Sequence, residues 1–438
     1  MVNTSRIIEK NKQHIWHPCT QMKDLEQYPP LIIHKAQGSY LYTDRGILFD
    51  AISSWWCKSL GHGHPAVMSA IHQQMQRFEH VIGASTTHPS LVELGEKLAE
   101  ISGNAHVFFA SDGSSAVEIA LKMALHAKQL QGKSECNEFI ALENSYHGET
   151  LATLSVSDLG LYKKPYQGLS LDCHFIRGIP YVTGESDPLW SESSVPWQAI
   201  LAQLEQWKDQ CCALIVEPMV QGANGMRMYS ADFLKRLADW AKANEIFVIA
   251  DEIMTGMCRT GQWLARDHAN IKPDLICLSK GLTSGTIPFS CVLIDSAIYQ
   301  LFYHDYHLGR SFLHSHTFSG HALGVSAALA TIKVMQDENI NEQAIQLGAQ
   351  MHELFQQVSV ASGQLENVRS LGAIVAADLR ETDTQRIGFQ LYQEALSRGA
   401  LLRPLGNTLY WLPPLNSKSD SLVKLAEITL NSIKAVYR

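Results

Sequence analysis

The chain has 438 residues, a net charge of −8, and hydrophobic and charged fractions of 46% and 18%. This length predicts two or three domains, or one large domain with a satellite, while the acidic balance argues against a nucleic-acid partner held by phosphate contacts. No apolar stretch is long enough to span a bilayer, and the opening MVNTSRIIEKNKQHIW lacks the apolar core of a signal peptide. The lack of both features predicts a cytoplasmic location. The nine cysteines form no CxxC pair, so we expect neither a zinc ribbon nor a disulfide framework.

Short apolar runs alternate with helical patterns between about residues 105 and 300. The runs predicted as buried strands are HVFFA (106–110), FIAL (139–142), ALIVEP (213–218), IFVIADE (246–252), LICLS (275–279) and CVLI (291–294). Apolar residues at helical spacing lie between them, at Ala116, Ile119, Ala120, Met123, Ala124 and Ala127, and at Phe233, Leu234, Leu237, Ala238 and Ala241. This alternation predicts an α/β fold with a mainly parallel sheet covered by helices on both faces.

Other segments suggest how the rest of the chain is organised. Residues 178–198 are rich in Pro, Ser and Gly, which predicts a surface excursion. After about residue 320 the pattern is helical, and the short apolar runs GAIVAADL, ALLRPLG and LYWLP return between 367 and 412. We therefore expect a large domain over 61–330 and a smaller α/β domain over 331–438, to which an N-terminal segment, 1–60, contributes.

Polar residues follow the predicted strands directly. They are the segments Ser111-Asp112-Gly113-Ser114 and Asn144-Ser145-Tyr146-His147-Gly148, and the single residues Glu217, Asp251 and Lys280. Ligands of open α/β sheets bind beyond the carboxyl ends of the strands, so these residues are the first candidates for a site.

The chemistry of these residues suits one cofactor, pyridoxal 5′-phosphate (PLP). A lysine such as Lys280 can bind the PLP aldehyde covalently, and an aspartate such as Asp251 can keep the pyridine nitrogen protonated. Gly113 and Ser114 open a predicted helix whose free N–H groups would attract a phosphate. Each residue alone also has an ordinary structural explanation, as a helix cap, a solvated lysine or a core tyrosine, so the interpretation depends on their joint order.

The motifs around these residues resemble the class III, ornithine-aminotransferase-like branch of the fold-type I PLP enzymes. They are SDGSSAVEIALK (111–122), YHGET (146–150), EPMVQGANGM (217–226), ADEIMTGMCRTG (250–261), LSKGLTSG (278–285) and HTFSGHALG (316–324). The resemblance covers nearly the whole chain. It implies a large domain with a mainly parallel seven-stranded sheet, a smaller α/β domain, and PLP-dependent transamination.

The resemblance also implies a role for each matched residue. Lys280 would hold PLP and move the substrate proton, Asp251 would pair with the pyridine nitrogen, and Tyr146 and Ile253 would flank the ring. The implied cofactor site consists of Gly113, Ser114, Tyr146, Glu217, Asp251, Ile253, Lys280, His316 and Thr317. Thr317, preceded by His316, would complete the phosphate site of the second chain in a homodimer.

Three further segments resemble the biotin-pathway group within that branch: HIWHPCTQM (14–22), DAISSWWCKSLGHGHP (50–65) and LLRPLGNTLYWLPP (401–414). Members of this group convert 8-amino-7-oxononanoate to 7,8-diaminononanoate, most with S-adenosylmethionine and a minority with lysine as amino donor. The implied substrate site consists of Cys19, Trp55, Trp56, Tyr146, Lys280, Ser315 and Arg403. Arg403 would bind the carboxylate and the two tryptophans the methylene chain, although at least one tryptophan could serve core packing instead.

The chain departs from the family pattern at three places. Cys19 replaces a tyrosine, Ser315 and His316 replace Gly-Pro, and Met257 and Cys258 replace Phe-Gly. These substitutions leave the recognition of the amino donor open.

Other functions remain open from the sequence. They are another class III omega-aminotransferase, or an aminomutase, racemase or decarboxylase of the same fold; a non-catalytic binding protein would not need both Lys280 and Asp251. Five histidines, at 304, 307, 314, 316 and 321, suggest a metal site, but no HExxH or CxxC motif accompanies them, so we predict no metal.

Overall fold

A computed structural model describes residues 4–382 and 386–438 of the chain. The strands are β1 (Ile33–Gln37), β2 (Tyr40–Thr43), β3 (Gly46–Asp50), β4 (His106–Ala110), β5 (Glu138–Leu142), β6 (Cys173–Ile176), β7 (Tyr181–Val182), β8 (Cys211–Val216), β9 (Val220–Gln221), β10 (Arg227–Tyr229), β11 (Phe247–Asp251), β12 (Leu275–Leu278), β13 (Ser290–Ile294), β14 (Leu365–Leu371), β15 (Ile374–Leu379), β16 (Ala400–Leu401) and β17 (Thr408–Trp411). The helices are α1 (Thr4–His14), α2 (Ser53–Trp56), α3 (Pro65–Met75), α4 (Pro89–Ser102), α5 (Gly113–Leu130), α6 (Leu151–Ser155), α7 (Gly160–Lys163), α8 (Ser194–Trp207), α9 (Ala231–Ala243), α10 (Ser296–Phe302), α11 (Ala322–Asp337), α12 (Ile340–Ser362), α13 (Ile387–Arg398) and α14 (Ser419–Val436).

The central sheet has seven strands in the order β4-β13-β12-β11-β8-β5-β6. β13 runs antiparallel to both of its neighbours, whereas the pairs from β12 to β6 are parallel. The predicted α/β class and the mainly parallel seven-stranded sheet are therefore confirmed. All six strands predicted between residues 105 and 300 belong to this sheet, and the strand that the sequence did not reveal is β6, a four-residue edge strand.

Both faces of the sheet are covered because the strands are apolar on both sides. In β11, Ile249 packs in the same cluster as the apolar residues of α5, while Val248 packs with α8 and α9 on the opposite face. Ala250, on the same side as Val248, joins the cluster that contains α11. A strand buried on both faces shows a continuous apolar run instead of an alternating one, as IFVIA does.

The carboxyl ends of the parallel strands bring the predicted site residues to one edge of the sheet. Asp251 is the last residue of β11, Glu217 follows the end of β8, and Lys280 lies two residues beyond the end of β12. The first turn of α5 begins at Gly113, shortly after β4 ends. Parallel topology thus places residues that are far apart in the chain around one crevice.

Two smaller sheets join distant parts of the chain. β1, β2 and β3 form one sheet with β16, and β14, β15 and β17 form another. Of the predicted run ALLRPLG only the two residues of β16 are a strand, and they pair in parallel with the end of β3. The N-terminal residues therefore pair with residues near 400, while the domain boundaries at 60/61 and 330/331 stay a prediction.

The expectation of a surface excursion over 178–198 is wrong for part of that segment. Ile179 and Val182 are buried, β7 pairs with β10, and α8 begins at Ser194 with Trp197 in the core. The Pro, Ser and Gly residues form turns between short helices and strands, and these elements still contribute apolar side chains to the core. Across the described ranges, no helix has the length and hydropathy needed to cross a membrane.

Candidate active site

A cavity of about 210 Å³ lies at the carboxyl edge of the central sheet. Eight residues predicted for the site line it: Trp56, Gly113, Ser114, Tyr146, Glu217, Asp251, Ile253 and Lys280. The sequence named them from six separate segments, and the fold brings all eight together. Asp112, His147 and Gly148, which belong to the polar segments that follow the strands, also line the cavity, and so do Met254, Thr255 and Ser279.

Lys280 occupies a strained position at the floor of the site. Its φ is 39°, in the left-handed region, and it begins a short 3-10 turn that ends at Thr283. Burial lowers the pKa of its ammonium, while the nearby carboxylates of Asp251 and Glu217 oppose that shift. A side chain at Gly281 would place its Cβ 2.8 Å from Ser59 Oγ, so glycine is needed where this turn packs against its neighbours. A lowered pKa leaves more of the amine neutral and nucleophilic.

Asp251 is held by His147, a residue of the polar segment after β5 to which the sequence assigned no role. His147 Nδ1 lies 2.8 Å from Asp251 Oδ2, and the backbone N–H of Ile253 donates to the other carboxylate oxygen at 3.2 Å. Both side chains are buried, and His147 Nε2 has no hydrogen-bond partner. The signal was present in the sequence, because His147 lies in the polar segment that follows β5.

Glu217 links two loops of the site. Its carboxylate accepts backbone N–H bonds from Tyr146 and Gly222, both at 2.9 Å. Burial raises its pKa to about 7, with a smaller contribution from Asp251, while His147 opposes the shift. The hydroxyl of Tyr146 donates to Glu149 at 3.0 Å. Glu217 thus fixes the backbone of the residue predicted to flank the cofactor ring.

The start of α5 lies beside these groups in the lining of the cavity. Asp112 caps the helix by accepting the N–H of Ser115 at 2.9 Å, and the first N–H groups of a helix have no partner within it. A Cβ at Gly113 would lie 3.0 Å from Ile253 Cδ1, and one at Gly148 would lie 2.3 Å from Ser114 Oγ. The glycines therefore permit a close approach of two loops at the helix start.

A second cavity, of about 790 Å³, contains the remaining substrate residues predicted from the N- and C-terminal segments. Cys19, Trp55 and Arg403 line it. The guanidinium carbon of Arg403 lies 4.4 Å from the centroid of the Trp55 ring, and Arg403 Nη2 donates to the carbonyl of Cys19 at 3.4 Å. Tyr162 donates its hydroxyl to the Cys19 thiol at 3.8 Å. The cavity thus combines a cation with an aromatic ring, and Tyr162 contacts one of its lining residues.

The paired tryptophans have different surroundings. Trp56 is buried, donates from Nε1 to Tyr410 Oη at 3.0 Å, and has Lys280 Nζ 4.7 Å from its ring centroid. Trp55 is 41% exposed and lies in the larger cavity. Trp56 therefore belongs to the cavity of Lys280, and Trp55 to that of Arg403.

Three predicted residues do not reach either cavity within one chain. Ser315 and Thr317 are exposed, His316 is half-buried, and none of them lines the two cavities. His316 Nε2 lies 3.1 Å from His314 Nε2, and Lys122 approaches His314 Nδ1 at 2.9 Å. Their predicted roles in cofactor and substrate binding require a second chain and stay predictions.

One group of three metal-type donors occurs among residues 4–382 and 386–438. Glu138, His174 and Cys211 bring their donor atoms within 4.8 Å of one another at the amino ends of β5, β6 and β8. His174 is 2.5 Å from Glu138 and stacks on Trp207, and burial raises the pKa of the Cys211 thiol. A hydrogen-bonded histidine–glutamate pair beside a protonated thiol accounts for this group, which lies at the edge opposite the cavities.

Comparison with known proteins gives a consistent result. The family model of class III aminotransferases matches residues 22–433. Adenosylmethionine-8-amino-7-oxononanoate aminotransferase of Helicobacter pylori is 37% identical over 407 residues, covering 92% of each chain. The protein of the same name from Synechococcus elongatus is 37% identical over 411 residues, covering 92% of this chain and 94% of that protein.

Solved structures agree with the fold. The crystal structure of adenosylmethionine-8-amino-7-oxononanoate aminotransferase from Methanocaldococcus jannaschii has a TM-score of 0.91 at 28% identity, covering 98% of this chain and 99% of that one. A PLP-bound amine transaminase from an uncultivated Pseudomonas species has a TM-score of 0.88 at 29% identity, covering 97% and 98%.

The chain belongs to the class III aminotransferase family, and it is an aminotransferase. Membership implies PLP, and the smaller cavity meets the chemical requirements of that group. It supplies a lysine with a lowered pKa, a buried carboxylate supported by His147, and a helix start that glycine leaves open. The fold and the class expected from the sequence are thereby confirmed.

Proposed function

We propose that this aminotransferase converts 8-amino-7-oxononanoate to 7,8-diaminononanoate in biotin biosynthesis, with S-adenosylmethionine as amino donor. The observation that carries the proposal is the placement of Arg403 over Trp55 in a large cavity. A guanidinium matches a carboxylate in bidentate geometry, and an aromatic face suits a chain of methylene groups. The names of the relatives from Helicobacter, Synechococcus and Methanocaldococcus support the same substrate.

Within this proposal, PLP occupies the smaller cavity. Lys280 would attach it, Asp251 would face its pyridine nitrogen, and the first N–H groups of α5 at Gly113 and Ser114 would bind its phosphate. Tyr146 and Ile253 would flank its ring, and their position in the lining of the same cavity supports that role. When bound, PLP supplies the electron sink that protein side chains lack.

The side chains then have distinct tasks. Lys280 would move the proton from the reacting carbon of the donor to the bound cofactor, and would reverse that transfer for the acceptor, which its lowered pKa favours. Asp251 has a fixed orientation, because His147 and the N–H of Ile253 hold its two oxygens. The half-buried Tyr146 covers the cavity, and Glu217 fixes its backbone. Arg403 selects an acceptor whose carboxylate is remote from the reacting carbon.

We also propose a homodimer in which Thr317 and His316 complete the phosphate site of the partner and Ser315 approaches its substrate. Support comes from the large apolar side chains left exposed around this segment in the single chain. Tyr306 is 96% and Leu313 89% exposed. Exposed apolar patches of this kind mark protein interfaces.

A cytoplasmic location is the third part of the proposal. All nine cysteines lie within the described ranges and carry free thiols, five of them buried. Free thiols are typical of proteins from reducing compartments.

Half-reactions followed by visible absorption test the proposed function. The purified holoenzyme is mixed separately with S-adenosylmethionine, lysine, glutamate or alanine, and the loss of the lysine-bound PLP band is recorded. We expect S-adenosylmethionine to remove the band and 8-amino-7-oxononanoate to restore it. If lysine is the only compound that removes the band, the amino donor is lysine and the proposed acceptor is unaffected.

A second candidate is an amine or omega-transaminase of broader specificity. It is favoured by structural neighbours such as the amine transaminase with a TM-score of 0.88. Removal of the band by alanine, with no response to 8-amino-7-oxononanoate, would support this candidate and refute the biotin-pathway substrate. Racemised or decarboxylated amino acid formed without any keto acceptor would indicate the other classes of the same fold.

A further inference from the structure

The short element α2, which carries the two tryptophans, is a left-handed turn and not an ordinary α-helix. Ser53, Ser54, Trp55 and Trp56 have φ values of 50°, 45°, 74° and 72°, so four consecutive residues adopt left-handed conformations. Side chains with a Cβ disfavour this region, and a run of such residues is far rarer than a single one. None of the four is glycine, so surrounding interactions must hold the turn in place.

Asp50, the last residue of β3, supplies these interactions. Its carboxylate accepts the N–H of Ser54 at 3.0 Å, the hydroxyl of Ser54 at 2.7 Å and the N–H of Ile52 at 3.4 Å. His62 Nε2 lies 2.8 Å from the same carboxylate. Asp50 is fully buried and His62 is 8% exposed, which makes these contacts stronger than at the surface.

The turn is also attached to the strands that carry the rest of the larger cavity. Ser53 donates from Oγ to the carbonyl of Leu412 at 2.7 Å, and the N–H of Leu412 donates to the carbonyl of Ala51 at 2.7 Å. Asp50 itself pairs with Leu401 of β16, two residues before Arg403. The orientation of Trp55 relative to Arg403 therefore depends on the same carboxylate.

We propose that Asp50 and His62 are positioning residues for the acceptor site: together they hold the left-handed turn Ser53–Trp56 so that Trp55 faces Arg403 and Trp56 faces Lys280. This inference rests on the proposed function only for the identity of the acceptor. Neither residue lines the two cavities, so both act through the turn.

The kinetic test compares Asp50→Asn, Asp50→Ala and His62→Ala with a matched variant, Asp274→Asn. Asp274 Oδ2 accepts the N–H of Val248 at 2.7 Å, at the opposite end of β11, so this variant also removes a structural carboxylate. We expect the Asp50 and His62 variants to raise the KM for 8-amino-7-oxononanoate about tenfold or more. Asp274→Asn should lower Tm without changing that KM. Asp50 variants with wild-type KM and reduced Tm would overturn the inference.

A glycine rescue separates backbone conformation from packing. Glycine adopts left-handed conformations without a steric cost, so Ser54→Gly added to Asp50→Asn should recover part of the lost acceptor binding. If Asp50 served only packing, the added glycine would lower stability further and leave the KM unchanged.

A readout independent of substrate keeps the inference testable if the acceptor proves to be different. Cys57 lies beneath the turn and donates from Sγ to the carbonyl of Ser54 at 3.3 Å. Peptide mapping after treatment with a thiol reagent should show faster modification of Cys57 in the Asp50 and His62 variants, but not in Asp274→Asn. Unchanged protection of Cys57 would contradict the proposed role of Asp50, whereas a wild-type enzyme that ignores 8-amino-7-oxononanoate would contradict only the proposed substrate.

Discussion

His147 Nδ1 lies 2.8 Å from Asp251 Oδ2, and both side chains are buried at the carboxyl end of β11. The second ring nitrogen of His147 has no hydrogen-bond partner, so Asp251 is the only group that the His147 ring is seen to hydrogen-bond among the described residues. Since Asp251 is proposed to face the pyridine nitrogen, the histidine orients the group on which the cofactor depends. The pair leads to the first prediction.

Replacing His147 by Ala should lower kcat about 10- to 100-fold, by analogy with the loss of a hydrogen-bonding partner that supports a metal ligand. The pH dependence of the visible PLP band should change as well, because Asp251 loses its fixed orientation. Stopped-flow half-reactions and a spectral pH titration measure both effects. His174→Ala is the matched control, since it removes a histidine–carboxylate pair at the opposite sheet edge. Equal kinetics in the two variants would contradict the prediction.

Lys280→Ala should abolish the lysine-bound PLP band and reduce turnover by at least about 10³-fold, because both the covalent attachment and the proton transfer are lost. Absorption spectra and a coupled turnover assay provide the measurement. Lys128→Met is a suitable comparison: Lys128 is another buried lysine with a pKa lowered by burial, but it lies outside the cavity. A retained band in Lys280→Ala would mean that another lysine binds the cofactor.

Glu217 should make stability depend on pH. Burial raises its pKa from 4.5 to about 7, so between these values the folded state binds more protons than the unfolded state. The free energy of unfolding should therefore fall as pH rises through this window, by up to about 3 kcal/mol.

Glu217→Gln removes this titration. The Tm of the variant minus the Tm of wild type should increase from about pH 5 to about pH 8, because only the wild type loses stability over this range. The lost hydrogen bond changes this difference by a constant amount at every pH. Differential scanning calorimetry at several pH values gives the comparison, with the exposed Glu366→Gln as control. Parallel pH profiles for Glu217→Gln and wild type would contradict the assignment.

Arg403→Met should raise the KM for 8-amino-7-oxononanoate at least about tenfold, because a charge-assisted hydrogen bond contributes about 1.5–3 kcal/mol. The donor half-reaction should change much less. Arg386→Met is matched to it, since Arg386 lines the same cavity but already pairs with Asp24 at 2.7 Å. Equal effects of the two variants on KM would argue against a specific carboxylate site at Arg403.

Mixing inactive variants tests the proposed homodimer. Thr317→Ala and Lys280→Ala should each be impaired alone, while random exchange of subunits should restore about a quarter of the sites, because one site of each mixed dimer is intact. Light scattering establishes the dimer, and activity after mixing measures the exchange. No recovery despite subunit exchange would show that Thr317 does not act on the partner's site.

Much of the site could be predicted from the sequence because strand ends leave local signals. LICLS before Lys280 and IFVIA before Asp251 are continuous apolar runs, and a charged residue directly after such a run is conspicuous. His147 stands in the same kind of position, but its role depends on a contact with Asp251, 104 residues further along the chain, which no local pattern reveals. The edge strand β6 gave a weaker signal, since CHFI has only four residues and one of them is a histidine.

The left-handed turn Ser53–Trp56 lay beyond prediction from sequence. Serine and tryptophan have no preference for that conformation, and the groups that enforce it come from Asp50, His62 and Leu412. The Trp56–Tyr410 hydrogen bond joins residues 354 positions apart. Pattern and propensity are local, so they revealed the strands, helix starts and reactive side chains. Which of these side chains share a cavity, and how the two tryptophans point into different ones, depends on contacts between distant segments that form only when the chain is packed.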